Sequence, residues 1–145
     1  RSPGLTSAPA IADYAAELLA ADGLDLTEKD SYIDSREKVH FNRLSAAERK
    51  ALIEKNPAYG RVICRCETVT EGEILDAIHS PIPPVSVDGI KRRTGAGMGR
   101  CQGGFCGPRV VDLLARELGV SPLTILQDRD GSEILTAYTK GEVRA

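Results

Sequence analysis

The sequence predicts a small, mainly α-helical domain, and three observations carry that expectation. Apolar residues recur at three- and four-residue spacing in several stretches bracketed by capping residues. The chain has no Trp, two Phe and four Tyr among 145 residues, so its core must be assembled from Leu, Ile, Val and Ala, which suit short packed helices. All four cysteines fall in two glycine-flanked segments, "RVICRCETVTEGEI" (61–74) and "GMGRCQGGFCGPRV" (97–110), that alternate with helical stretches.

In chain order, "RSPGLTS" reads as a turn-rich lead-in, with Ser7 as the expected cap and Pro9 in the first turn of a helix. Ile11, Ala15, Leu18 and Leu19 share one face of that helix, and Gly23 ends it. Residues 24–43 are polar and aperiodic and read as a connector. "LSAAERKALIEKN" is a second helix, with Ser45 and Glu48 forming a capping box and Asn56-Pro57 stopping it. "YGRVIC" is a short apolar lead into the first cysteine loop. "TVTEGEILDAIHS" is a third helix: Thr70 and Glu73 repeat the capping box, and Ile74, Ala77 and Ile78 share a face. "PIPP" at 81–84 breaks the chain, "SVDGIKRRT" forms a short helix, and the loop "GAGMGRCQGGFC" follows. Gly107-Pro108 opens the last strong helix, with Val110, Val111, Leu114 and Leu118 as its buried stripe and Gly119 as its end. A helical turn after Ser121-Pro122 and a short strand at "SEILTAY", 132–138, complete the expectation.

The formal net charge of −2 argues against nucleic acid or an anionic membrane surface as the partner of the whole chain. That sum hides an asymmetry: residues 61–109 carry seven Lys/Arg against five acids, while the remainder is net acidic. The cysteine region is therefore the basic region. No apolar run approaches the roughly 20 residues needed to span a bilayer, and no secretory signal pattern is present. The opening at Arg1 reads as a piece of a longer protein, and a reducing, cytoplasmic setting is the expectation for its thiols.

The cysteines follow a C-x-C, then C-x4-C pattern: Cys64, Cys66, Cys101 and Cys106. Two thiols one residue apart are poorly placed to bond each other, because disulfide geometry is specific, but they can face one centre. Gly97, Gly99, Gly103 and Gly104 let the second loop curl and aim amides inward, as sulfur-rich anions require. Cys106 precedes a helix start, whose positive end should favour its thiolate, and Arg65, Arg100 and Arg109 push the same way. A 2Fe-2S cluster, structural zinc and two disulfides all use four cysteines, although the C-x-C half fits the usual zinc knuckle less well. His40 and His79 lie outside both loops. "GAGMG" lacks a preceding strand and the third glycine of a dinucleotide loop, and no nucleophile–base set stands out.

The segments "ICRCETVTEGEILDAI" and "DGIKRRTGAGMGRCQGGFCGPRV" resemble the 2Fe-2S domain of the bacterioferritin-associated-ferredoxin-like (BFD-like) family, in the version fused to anaerobic-type FAD-dependent glycerol-3-phosphate dehydrogenases. The resemblance implies a small helical domain of two helix–loop pairs at 60–120, with a flavin-domain remnant at 1–23, a connector with one helix at 24–59 and a tail at 121–145. It also implies that Cys64, Cys66, Cys101 and Cys106 bind the cluster; independently of the resemblance, zinc can substitute in a site of four thiolates. "RSPGLTSAPAIA" is similar to the last flavin-contacting loop of those enzymes, which makes Gly4, Leu5 and Thr6 the FAD neighbours in a longer parent. The implied role is electron transfer during oxidation of glycerol 3-phosphate to dihydroxyacetone phosphate; the alternative is a structural docking module in which zinc or a redox-silent cluster staples the two loops. The implied partners are an upstream FAD domain of the same polypeptide and an electron acceptor, with inner-membrane contact only through such partners.

Overall fold

In the computed structural model, which describes residues 3–33 and 35–140, the chain divides into two units, Arg1–Glu37 and Lys38–Ala145. Arg1 and Ser2 of the expected lead-in, and residues 141–145 of the expected tail, lie outside the described residues.

The first unit is one helix, α1 (Gly4–Ala21), and an irregular segment. The helix begins earlier than expected. The Ser7 amide already donates to the Pro3 carbonyl at 2.9 Å, so Ser7 is an interior residue rather than the cap, and Pro9 falls inside the helix. Gly4, Leu5 and Thr6 consequently form its first turn instead of a loop. At the other end, Gly23 adopts φ +91°, its amide donates to Ala20 O and that of Leu24 to Leu19 O. This is the Schellman arrangement, which satisfies carbonyls the helix leaves open. No residue of α1 is buried within the unit.

The second unit comprises a 3₁₀ turn (Phe41–Arg43), α2 (Ala46–Lys55), a second 3₁₀ turn (Pro57–Gly60), β1 (Val62–Cys64), β2 (Val69–Thr70), α3 (Glu71–Ile78), α4 (Val87–Thr94), α5 (Gly107–Leu118) and a third 3₁₀ turn (Pro122–Thr124). Both expected capping boxes form. Ser45 and Glu48 close the start of α2; at α3 the Glu73 amide donates to Thr70 Oγ1 at 3.3 Å and the Thr70 amide to Glu73 Oε2 at 2.8 Å. Ser86 caps α4, and Gly95 (φ +82°) ends it in the left-handed region.

The core lies where α3, α4 and α5 meet. Ile74, Ile78, Ile90, Val110, Val111 and Leu114 are buried there, and Leu118 packs against them half-buried. The tail joins the same core through buried Ile125: the Val87 and Asp88 amides donate to Leu126 O and Gln127 O at 3.1 and 2.8 Å. The extended stretch expected over 132–138 contributes a single antiparallel bridge, Leu126 to Glu133. The strands form instead around the first cysteine loop, where β1 and β2 pair antiparallel.

The compact unit starts at Lys38, well before the boundary at 60 that the motifs suggest, because Phe41, Ala58 and Tyr59 are buried. The Phe41 amide donates to Glu73 Oε1 at 3.1 Å, and the Tyr59 hydroxyl hydrogen-bonds Asp76. The Tyr59 ring lies on Gly72, where a Cβ would be 2.6 Å from it.

Among the described residues Glu71 is the buried charged side chain. It is hydrogen-bonded by Arg61 and, at 3.1 Å, by Arg116 Nη2, so it ties the strand pair to the end of α5. The Arg61 guanidinium, with that of Arg116, holds its carboxyl below the ordinary value of 4.5 against the opposing pull of burial. A depressed carboxyl contributes stability above its unfolded pKa and loses it as pH falls through the folded one. Glu71→Gln should therefore cost roughly 1–2 kcal/mol near pH 7, the arginines being half-exposed and screened. It should also flatten the fall of melting temperature below pH 4.5. Parallel thermal melts from pH 7 into that acid range check this; an acid limb as steep in the variant as in the parent would count against it.

Candidate metal centre

Each cysteine loop is held by its own local chemistry. Cys64 ends β1 and points into the core at 1% exposure, while Cys66 sits in the exposed turn that leads to β2. Thr68 takes φ +54° to close that turn. The second loop runs from the Gly95 cap of α4 to the start of α5. Gly97 (φ +89°) and Gly103 (φ +86°) supply the left-handed positions that bend it back, as glycine permits. Cys106, 2% exposed, is the residue before α5, with Pro108 in the first turn.

These loops converge. All four cysteines line one cavity of about 470 Å³, and all four are free thiols. Cys66 Sγ and Cys101 Sγ are 3.6 Å apart, and Cys64 lies close enough to Cys106 to act on its thiol. A tetrahedral metal with metal–sulfur bonds of about 2.3 Å holds its sulfurs about 3.8 Å apart. The sulfurs thus fall into two cross-loop pairs, an outer pair (Cys66, Cys101), whose 3.6 Å is near the spacing that one metal requires, and a buried inner pair (Cys64, Cys106). Among the described residues no three His, Cys, Asp or Glu side chains gather as a single-ion site. Two pairs on one cavity suit a binuclear cluster, which divides four thiolates between two irons.

The electrostatics differ between the pairs. The Phe105 amide, the Cys66 thiol and the Gly103 and Gly104 amides hydrogen-bond to Cys101 and hold its thiol below the usual range. Burial pushes the Cys106 thiol up to about 11, and the neighbouring Cys64 and Cys101 sulfurs add to that. The helix start at Cys106 was expected to favour thiolate; in the chain alone, burial and sulfur crowding outweigh it. A bound cation reverses that balance, since coordination deprotonates thiols outright. Arg65, Arg100 and Arg109 all line the cavity and are exposed, and among the described residues none of them forms an ion pair. Their charge is available to an anionic occupant. The donor set, its spacing and the inward amides fit a 2Fe-2S cluster.

Neither histidine lines the cavity. His79 Nε2 pairs with Glu117 at 2.9 Å, and His40 is half-buried before the first 3₁₀ turn. Gly4, Leu5 and Thr6 lie in α1 of the first unit. Sequence reasoning missed Glu71, whose partners are ten and forty-five residues away and carry no local signal. It also missed Asn42, whose side-chain amide donates to Glu67 O at 3.3 Å and braces the first cysteine loop.

Residues 62–116 match the family model described as a BFD-like 2Fe-2S binding domain. Over 144 residues, 99% of this chain, the sequence is 49% identical to a glycerol 3-phosphate dehydrogenase of Caloramator mitchellensis, covering 30% of that protein. It is 38% identical over 95 residues to the HcnB subunit of hydrogen cyanide synthase from Pseudomonas aeruginosa, covering 58% of this chain and 20% of the relative. It is 36% identical over 66 residues to a subunit of the anaerobic glycerol-3-phosphate dehydrogenase of Escherichia coli K12, covering 46% and 12%. The chain thus spans less than a third of the length of these relatives. No solved structure matches.

Proposed function

Because residues 62–116 belong to the BFD-like 2Fe-2S binding domain family, we propose that the chain is the iron–sulfur electron-transfer module of a longer FAD-dependent dehydrogenase acting on glycerol 3-phosphate. The observation that carries this reading is the convergence of four free thiols from two loops on one cavity, with the outer pair at single-metal spacing. Cys64, Cys66, Cys101 and Cys106 would hold the cluster. When bound, a 2Fe-2S cluster supplies one-electron chemistry. The chain's own residues tune it. The Phe105, Gly103 and Gly104 amides favour the thiolate of Cys101, and Arg65, Arg100 and Arg109 offset negative charge at the cavity.

The relatives carry names of different activities, glycerol 3-phosphate dehydrogenation and hydrogen cyanide synthesis among them. A part shared across such names fits a role in moving electrons rather than in choosing substrate. Glycerol 3-phosphate as the substrate rests on the relative that matches 99% of this chain over 30% of its own length. Contact of Gly4, Leu5 and Thr6 with a flavin, and delivery of electrons to an acceptor outside the chain, belong to the same proposal. No helix among the described residues is long and apolar enough to cross a membrane.

Cys64 and Cys106 are also members of the hydrophobic core, which favours a second role: the cluster staples the two loops together. Anaerobic reconstitution with iron and sulfide, followed by absorption and EPR spectroscopy and a redox titration, separates the readings. Two irons per chain and a reduced-state signal at an accessible potential support electron transfer. A cluster that stabilises the fold but cannot be reduced leaves the staple alone, and a chain that takes zinc but no iron removes both.

A further inference from the structure

Gly99 is buried in the second cysteine loop, and its backbone is not left-handed, so no turn requires glycine there. The requirement is space. A Cβ at Gly99 would lie 2.2 Å from Cys66 Cβ, 2.8 Å from Glu67 Oε1 and 3.4 Å from Cys66 Cα. Carbon atoms in contact sit about 3.5–4.0 Å apart, so a methyl group here forces a shift of more than about 1 Å. The Glu67 carboxylate, at the end of a flexible side chain, can swing aside; the Cys66 Cβ cannot move without carrying its sulfur. Nor is Gly99 free to retreat. Its carbonyl accepts the Gln102 amide at 2.9 Å and Gln102 Nε2 at 3.0 Å, within the turn that presents Cys101.

We propose that Gly99 is the positioning residue for the Cys66 thiol: its bare Cα is the seat that brings Cys66 Sγ to 3.6 Å from Cys101 Sγ, the spacing one metal demands. Metal–thiolate distances tolerate about ±0.2 Å, far less than the displacement a methyl group imposes. The inference rests on the cluster reading above. It does not extend to every glycine near a ligand. Gly107 directly follows Cys106, yet a Cβ there meets nothing within 4 Å.

The test uses the full chain, reconstituted anaerobically, as parent, Gly99→Ala, Gly107→Ala and Gly99→Ala/Glu67→Ala. Iron per chain, the half-life of the visible absorption under EDTA and the EPR g-values of the reduced protein are the readouts. Loss of a group that orients a metal ligand typically costs about 10–100-fold in metal affinity. Gly99→Ala should therefore bleach at least about tenfold faster than the parent, with shifted g-values in any loaded fraction, and Gly107→Ala should behave as the parent. The double variant should be no better than Gly99→Ala. Parent-like half-life and g-values in Gly99→Ala overturn the proposal, and so does recovery in the double variant, which would make Glu67 the obstructed group. If Gly99→Ala is insoluble, Cys66→Gly/Gly99→Ala is compared with Cys66→Gly. With the opposing Cβ gone the two should be equally soluble and melt alike, and a lower melting temperature or insolubility of the double variant overturns the assignment. That last comparison needs no cluster, so it stands even if the parent takes up no iron and the cluster reading itself falls.

Discussion

Cys64→Ser should yield a chain that holds no cluster and melts far below the loaded parent, and its metal-free form should also be less stable than the metal-free parent. Two separate losses combine. The first is the metal: in small metal-stapled domains the binding free energy is largely folding free energy, so losing a ligand removes several kcal/mol. The second is local. Cys64 is 1% exposed and a member of the core, where thiol behaves as a small apolar group and a hydroxyl does not. A buried hydroxyl without a good partner costs about 1–3 kcal/mol. Cys66→Ser should show only the first loss, because Cys66 is exposed and its replacement hydroxyl reaches water. Iron content and melting temperatures of both variants, loaded and metal-free, check the contrast. Equal metal-free stability of the two would contradict the inner and outer division of the site, and retention of iron by Cys64→Ser would remove Cys64 from the ligand set.

The sequence made legible whatever is encoded within about four residues. The Ser45/Glu48 and Thr70/Glu73 boxes, the Gly23 and Gly119 ends, and the α5 stripe of Val110, Val111 and Leu114 are local signals, and each appears where its spacing places it. Convergence of the cysteines was readable for a different reason: four reactive side chains confined to two loops leave few arrangements. What failed was either positional or long-range. Ser7 looked like a cap because it precedes an apolar run, but the Pro3 carbonyl starts the helix earlier and no side chain signals that. Ile125 reads as a tail residue until α4 is seen to bond with its neighbours Leu126 and Gln127. Gly99 looked like a turn glycine, and the space it leaves for Cys66, thirty-three positions away, exists only in three dimensions.

A truncated chain beginning at residue 61 should fail to hold a stable cluster, whereas one beginning at residue 38 should load iron. The matched family segment begins at 62, so the shorter form keeps every ligand and every helix of the motif. It loses the cover of α3. Phe41 and Tyr59 are both buried; Arg49 stacks over the Phe41 ring at 5.2 Å and donates from Nε to the Phe41 carbonyl at 3.0 Å. The Phe41 amide donates to Glu73, which also caps α3, and Asn42 braces the Glu67 carbonyl beside Cys66. Removing a buried aromatic side chain costs about 3–5 kcal/mol. Two such losses are comparable with the whole stability of a small domain, about 5–15 kcal/mol. The energetic boundary of the domain is therefore expected near Lys38, where the second compact unit begins, rather than at the first cysteine strand. Circular dichroism melts and iron analysis of the 38–145 and 61–145 chains decide the matter. If the shorter chain loads two irons and melts within a few degrees of the longer one, the aromatic cover is dispensable and the boundary returns to the strand pair.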